Sequence, residues 1–203
     1  QIGNDKKYDT VSLPAAGFKI IYAAKYLETD GTLVVFDYNQ YSLDWAKHLY
    51  ESDETNILEI IKNWKHREYF YASGKKVFSD KEMKIYTKET IDSIKRSSEH
   101  FGNEVEFLIS LNNFRKSKVK FVKVDLFNSP ETLTKEYNGD TLVSVSNIFS
   151  TDYSAIVNPL FENQKSLKNF ADSIKTNCRI TGQDAYCKFF IKDINTTEVL
   201  NGN

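Results

Sequence analysis

The sequence predicts an α/β domain built on a mostly parallel sheet, and three observations carry that expectation. Short apolar runs alternate along the chain with segments of helical spacing, which is the pattern of strands joined by crossover helices. One run, Thr32-Leu33-Val34-Val35-Phe36, is apolar at every position, as in a strand buried on both faces of a parallel sheet. The last two runs, Cys178–Thr181 and Ala185–Lys192, have no room for a helix between them and so predict an antiparallel edge at the C-terminus.

The elements follow in order. Tyr8–Leu13 has the β-branched and apolar content of a strand and stops at Pro14, which has no N–H for a ladder. From Phe18 to Leu27 the apolar residues fall at helical spacing, and Asp30-Gly31 is expected to end that helix. The second strand, Thr32–Phe36, closes on Asp37, and Ser42 is the expected N-cap of the helix carrying Leu43, Trp45, Ala46, Leu49 and Tyr50. Helices are expected over Asn56–Trp64, from Thr87 or Thr90 to about His100, and over Glu104–Phe114. The polar and aromatic stretch Lys65–Lys84 has no assignment. Val119–Val124 is the third strand and ends at Asp125; Asp140–Val145 is the fourth and ends at Ser146-Asn147. Ser129–Gly139 is a loop with one short helix, Glu162–Lys175 is a helix, and Gly182-Gln183 is the expected turn of the final hairpin. Together these predict one Rossmann-like three-layer sandwich over residues 1–203, with a helical insertion at about 52–103. Gln1 stands only a few residues before a core strand, which raises the expectation of a preceding domain in the same protein.

Composition narrows the function classes. A net charge of −1 offers no global basic field, so charge gives nucleic-acid binding no support. No stretch approaches the ~20 apolar residues that cross a bilayer, so no membrane partner is expected. The two cysteines, Cys178 and Cys187, are too few for a disulfide framework or a zinc site, which fits a cytoplasmic protein without a metal. His48, His66 and His100 are scattered without ligand spacing. Trp64–Tyr71 mixes bases and aromatics as single-strand nucleic-acid surfaces do, but acids nearby favour a solvated helix end.

In open α/β sheets, ligands bind beyond the carboxyl ends of the strands, where strand order reverses. The residues to weigh are therefore Pro14-Ala15-Ala16-Gly17, Asp37-Tyr38-Asn39, Asp125-Leu126-Phe127 and Ser146-Asn147-Ile148-Phe149. Small residues after the first strand leave space for a ligand beside the exposed N–H groups of a helix start. Asp37 is the most specific candidate. It lies twenty positions after Gly17, where a nucleotide site places the acid that accepts hydrogen bonds from ribose hydroxyls. A carboxylate can take two neighbouring hydroxyls at once.

These four strand ends, in this order, resemble the class I S-adenosylmethionine-dependent methyltransferases, over roughly Tyr8 to Lys175. The resemblance implies a methyltransferase using S-adenosyl-L-methionine as its small-molecule cofactor, with an acceptor substrate it does not identify. It implies that Ala15, Ala16 and Gly17 hold the cofactor's methionine part, Asp37 the ribose, and Asp125 the adenine amino group. Ser146, Asn147 and Phe149 would line the methyl-transfer site, with Tyr38 and Ser146 counted among the cofactor contacts and Asn147 with Phe149 facing the acceptor. Ser12-Leu13-Pro14-Ala15-Ala16-Gly17 stands where the family has an acid and a glycine-rich run. Asn147-Ile148-Phe149-Ser150 stands where amino-methylating members have two prolines and an aromatic after Asn or Asp, which argues against nucleobase amino methylation. Two other readings remain: a non-catalytic Rossmann-like interaction or scaffold domain, and a sugar-nucleotide transferase in which Asp37-Tyr38-Asn39 imitates a metal-binding acid pair.

Overall fold

Six strands form one sheet in the order β5-β2-β1-β6-β7-β8. They are β1 (Tyr8–Pro14), β2 (Leu27–Asp37), β5 (Lys118–Lys123), β6 (Thr141–Ser146), β7 (Cys178–Gln183) and β8 (Phe189–Ile194). The first five run parallel, and β8 pairs antiparallel with β7, Gln183 opposite Phe189. This is an α/β, Rossmann-like sheet, as expected. The helices are α1 (Lys19–Ala23), continued by a 3₁₀ turn (Ala24–Tyr26), α2 (Gln40–Glu51), α3 (Glu104–Lys116), α4 (Glu131–Thr134) and α5 (Leu160–Ser173). A hairpin, β3 (Glu68–Tyr71) and β4 (Gly74–Val77), stands apart from the large sheet. The computed structural model describes residues 6–15, 17–56, 59–60, 63, 68–71, 74–77, 79, 81, 88, 104–150 and 160–195. The expected helix ending at His100, the Trp64–Arg67 part of the basic–aromatic stretch and most of the expected 52–103 insertion lie outside them.

The chain divides into two compact units. The first holds Gln1–Pro14, Tyr26–Tyr38 and Lys118–Asn203, and so the whole six-strand sheet with α4 and α5. Its core gathers Val34 and Phe36 of β2, Val143 and Val145 of β6 and Ile180 of β7 with Leu133, Phe170, Ala171 and Ile174. Burying each of these side chains larger than alanine contributes about 1.5–3 kcal/mol. The Tyr137 hydroxyl, wholly buried, donates to Ser12 Oγ on β1 at 3.2 Å, and burial pushes the phenol far above its ordinary titration range. The second unit holds Ala15–Lys25 and Asn39–Ser117. Here Phe18 of the α1 approach meets Trp45 of α2 and Phe107 of α3 edge-on, at centroid distances of 5.7 and 6.0 Å. Arg115 closes the end of α2, donating from Nε to the Leu49 carbonyl and from Nη1 to that of Glu54. His48 Nε2 lies 2.9 Å from the Ile60 carbonyl, a packing role.

Three expected boundaries are corrected. Asp30-Gly31 does not end a helix; both residues lie inside β2, which begins at Leu27. The β1–β2 ladder explains this: Tyr8 pairs with Leu27 and Thr10 with Thr32, so three extra residues of β2 bulge out before the register resumes. Gly31 fits there because a Cβ would crowd the Asp9 and Glu28 carbonyls, both at 3.1 Å. The N-cap of α2 is Asn39, not Ser42. Asn39 keeps an extended backbone and its side chain accepts the Tyr41 N–H at 3.0 Å, whereas Ser42 is already helical. The last hairpin turns at Asp184–Lys188, not at Gly182-Gln183, because the Asp184 carboxylate accepts the N–H groups of Tyr186 and Lys188 at 2.8 and 2.9 Å.

Two stability measurements test this account. Asn39→Ala should destabilise the protein by about 1 kcal/mol in urea unfolding, and Ser42→Ala by less than about 0.5 kcal/mol; the reverse order would return the cap to Ser42. Burial lifts the Cys178 thiol from its ordinary 9.0 to about 12. A raised folded value means stability that is complete below the unfolded thiol's pKa and lost as pH climbs through the folded one. Unfolding free energy should therefore fall between about pH 9 and 12, and Cys178→Val should make that fall shallower. Identical slopes in both proteins would refute the assignment.

Candidate functional site

The carboxyl edge of the sheet is built by register. Pro14 of β1 pairs with Phe36 of β2, and Asp37 pairs with Lys123 of β5, so three strands end nearly level. Asp37 stands one step beyond Pro14, half-buried, and its carbonyl accepts the Val124 N–H at 3.0 Å. Tyr38 beside it is 59% exposed. Asn39 uses its carboxamide oxygen to cap α2.

Strand order reverses at β1, with β2 on one side and β6 on the other. The β1–β6 ladder covers only Thr10–Ser12 with Thr141–Val143. Beyond it β1 continues to Pro14 against β2 alone, and β6 to Ser146 against β7 alone. Doubly wound sheets hold ligands beyond the carboxyl ends of the strands at such a reversal. The rim of β6 is shaped by a second irregularity. Ser144 pairs with Thr181 but Ser146 with Gly182, so one residue bulges, and Ser146 takes a φ of +52° that non-glycine residues seldom adopt. Gly182 is required opposite it, because a Cβ there would collide with Val145 Cγ2 and lie 2.9 Å from the Ser146 carbonyl. Asn147 follows, exposed, its carbonyl accepting the N–H and Oγ of Ser150 at 3.0 and 2.8 Å, which fixes the turn. The Ser146 hydroxyl lies 3.5 Å from Asn147 Oδ1.

Two assigned residues are placed differently from their expected roles. Asp125 is exposed, but its carboxylate accepts the Phe127 N–H at 2.9 Å and Asn128 Nδ2 at 2.7 Å, so the side chain organises its own turn. Phe149 is fully buried, its ring 5.4 Å from Phe127 and 6.1 Å from Phe170 between centroids. With no face open, it packs in the core and does not stack on an acceptor. Of the bend after β1, Ala15 is buried and Ala16 lies outside the described residues. Gly17 has a φ of +64° with nothing within 4 Å of a would-be Cβ, so backbone conformation rather than close packing demands glycine there.

The sheet also carries a feature the sequence did not disclose. At the opposite, amino end, a cleft of about 590 Å³ is lined by Asp9, Thr10, the bulge Glu28–Thr32, Lys118, Lys120, Glu136 and Asn138. No motif marks it, because the three-residue β2 bulge creates it. Lys120 and Glu136 neutralise each other across it at 2.7 Å. Ligands of open α/β sheets lie beyond the carboxyl ends of the strands, which favours the carboxyl edge over this cleft. Among the described residues no group of three or more His, Cys, Asp and Glu is placed to hold a metal ion, and no helix is long and apolar enough to cross a membrane. Compared with known proteins, the chain matches no family model and no curated protein.

Gly182→Ala tests whether the bulged rim is built as described. Its Cβ would force Val145 or Ser146 to move, and thermal unfolding should show a loss of roughly 1–3 kcal/mol. A loss below about 0.5 kcal/mol, the range of an ordinary surface change, would mean the rim tolerates a side chain.

Proposed function

We propose that this chain is an S-adenosylmethionine-dependent methyltransferase, with its cofactor lying across the carboxyl ends of β2, β1 and β6. One observation carries the reading: an acid closes the strand next to the point where strand order reverses, beside strands that part before they end. That is the arrangement a ribose-bearing ligand needs, a carboxylate for two hydroxyls at the mouth of a crevice. When bound, the cofactor supplies a methyl group activated by a positive sulfur.

The chain's own contribution is positioning. Asp37 accepts hydrogen bonds from the ribose hydroxyls, and Tyr38 lies beside it with an exposed ring. The turn Asp125–Asn128 presents the edge of the adenine pocket, with Asp125 holding the loop in shape. Asn147 would accept a hydrogen bond from an N–H or O–H of the acceptor with its carboxamide oxygen and so orient it, the acceptor's proton passing to water. Holding donor and acceptor in line supplies most of the rate in such a transfer. We place the protein in the cytoplasm, where its two cysteines, which form no disulfide, remain reduced.

A second reading, a non-catalytic domain that keeps the sheet as an interaction module, is favoured by Phe149. A core ring where the acceptor was expected leaves Asn147 alone at the rim.

Isothermal titration separates the two. S-adenosylmethionine or S-adenosylhomocysteine should bind saturably, and Asp37→Ala should weaken that binding by on the order of 1–3 kcal/mol, five- to 150-fold. No heat from either compound would favour the non-catalytic reading. Binding that ignores Asp37→Ala would remove this residue from the site.

A further inference from the structure

The chain holds two Asn-Gly pairs, Asn138-Gly139 and Asn201-Gly202. The first lies at the amino end of the sheet, where Asn138 lines the cleft. Asn138 and Gly139 are both exposed. Glycine is obligatory at 139. Its φ is +62°, and a Cβ there would collide with the Asp9 carboxylate, which itself accepts the Asp140 N–H at 2.8 Å. The Gly139 nitrogen therefore stands beside the Asn138 side chain with no branch to shield it. Among the described residues no acceptor takes the Gly139 N–H, and no partner holds the Asn138 carboxamide.

The peptide unit joining these two residues is held at its oxygen. Thr10 Oγ1 of β1, buried and 128 positions away in sequence, donates to the Asn138 carbonyl at 2.8 Å and accepts the Asn138 N–H at 3.2 Å. An amide that loses its N–H proton carries the charge largely on that carbonyl oxygen. A hydrogen bond to the charged form favours it, so the Thr10 hydroxyl eases removal of the Gly139 proton. The nitrogen so activated has an electrophile within its own chain, the carboxamide carbon Cγ of Asn138, which it reaches by closing a five-membered ring.

We propose that Asn138 is a site of spontaneous deamidation promoted by the Thr10 hydroxyl. Hydroxide takes the Gly139 N–H proton, and the nitrogen bonds to Asn138 Cγ. The carboxamide C–N bond breaks and its nitrogen leaves as ammonia, with a proton from water, so that a succinimide remains. Water then opens the ring at one carbonyl or the other, which yields an aspartyl or an isoaspartyl linkage at position 138. The isoaspartyl form routes the backbone through the former side chain and adds one carbon to it. That takes from Thr10 the carbonyl it holds, at the point where the β1–β6 ladder begins with Thr10 opposite Thr141. It also adds a carboxylate to a cleft already lined by Asp9, Glu28, Asp30 and Glu136. Modification thus loosens the amino end of the sheet, independently of any ligand at the carboxyl edge.

The full chain, kept folded at mildly alkaline pH, is followed by peptide mapping and mass spectrometry, with the same chain in urea as reference and Asn201 as internal control. Asn138 should convert faster in the folded protein than in urea, to both products, and the aged protein should melt at a lower temperature. Thr10→Val removes the hydroxyl and keeps the shape, and should slow conversion at Asn138 about tenfold without changing Asn201. Thr10→Ser keeps the hydroxyl and should retain the rate. If Thr10→Val does not fold, the comparison of folded and urea-unfolded chain still decides. Asn138 that stays intact, or that converts more slowly folded than in urea, would overturn the proposal. Conversion in folded Thr10→Val as fast as in the unsubstituted chain, or faster, would overturn it too, leaving the hydroxyl only the part of a brace.

Discussion

β1 depends on partners that come from far along the chain. Its backbone groups are satisfied on one side by β2 and on the other by β6, which is more than a hundred residues away. A strand in this position has no water to fall back on, so both ladders must form for either to be stable. The Tyr137–Ser12 hydrogen bond adds a side-chain tie from the loop before β6 to the middle of β1, inside the same core. The early end of the β1–β6 ladder arises from the same constraint. Each flank of β1 is committed to a different neighbour, and where one ladder ends early the strands part.

The irregular positions of the sheet concentrate at its ends. Three extra residues in β2 shape the amino-end cleft, and one extra residue in β6 shapes the rim at Ser146 and Asn147. Both bulges rely on a glycine facing carbonyl oxygens, Gly31 in the first and Gly182 in the second. The middle of the sheet, from Leu33 to Phe36 and from Leu142 to Val143, is regular and buried. Rigidity in the centre with adjustment at the edges is what lets one sheet present differently shaped rims.

The candidate site is partly legible in the sequence. Asp37 could be placed because an apolar run of five residues fixes a strand end, and strand ends fix the rim. Asp125 was found by the same logic, but its side chain's commitment to Phe127 and Asn128 depends on a turn geometry that residue types alone do not specify. Phe149 stands among the residues after the fourth strand, which the methyltransferase resemblance sets beside the acceptor. Whether an aromatic two residues past a strand turns outward or inward depends on what lies beneath it, here Phe170 of α5 and Phe127.

What the sequence determined by itself is the alternation of strand and helix, the parallel sheet with its antiparallel edge, and the presence of Asp37 at a strand end. Each follows from hydrophobic period, a local property carried by a handful of neighbouring residues. The Asn39 cap and the Asp184 turn rest on bonds within four residues, yet residue types alone do not choose them over Ser42 or Gly182-Gln183. The start of β2 at Leu27, the positive φ of Ser146 and the burial of Phe149 were decided only by tertiary structure, because each is set by register or packing against residues distant in sequence.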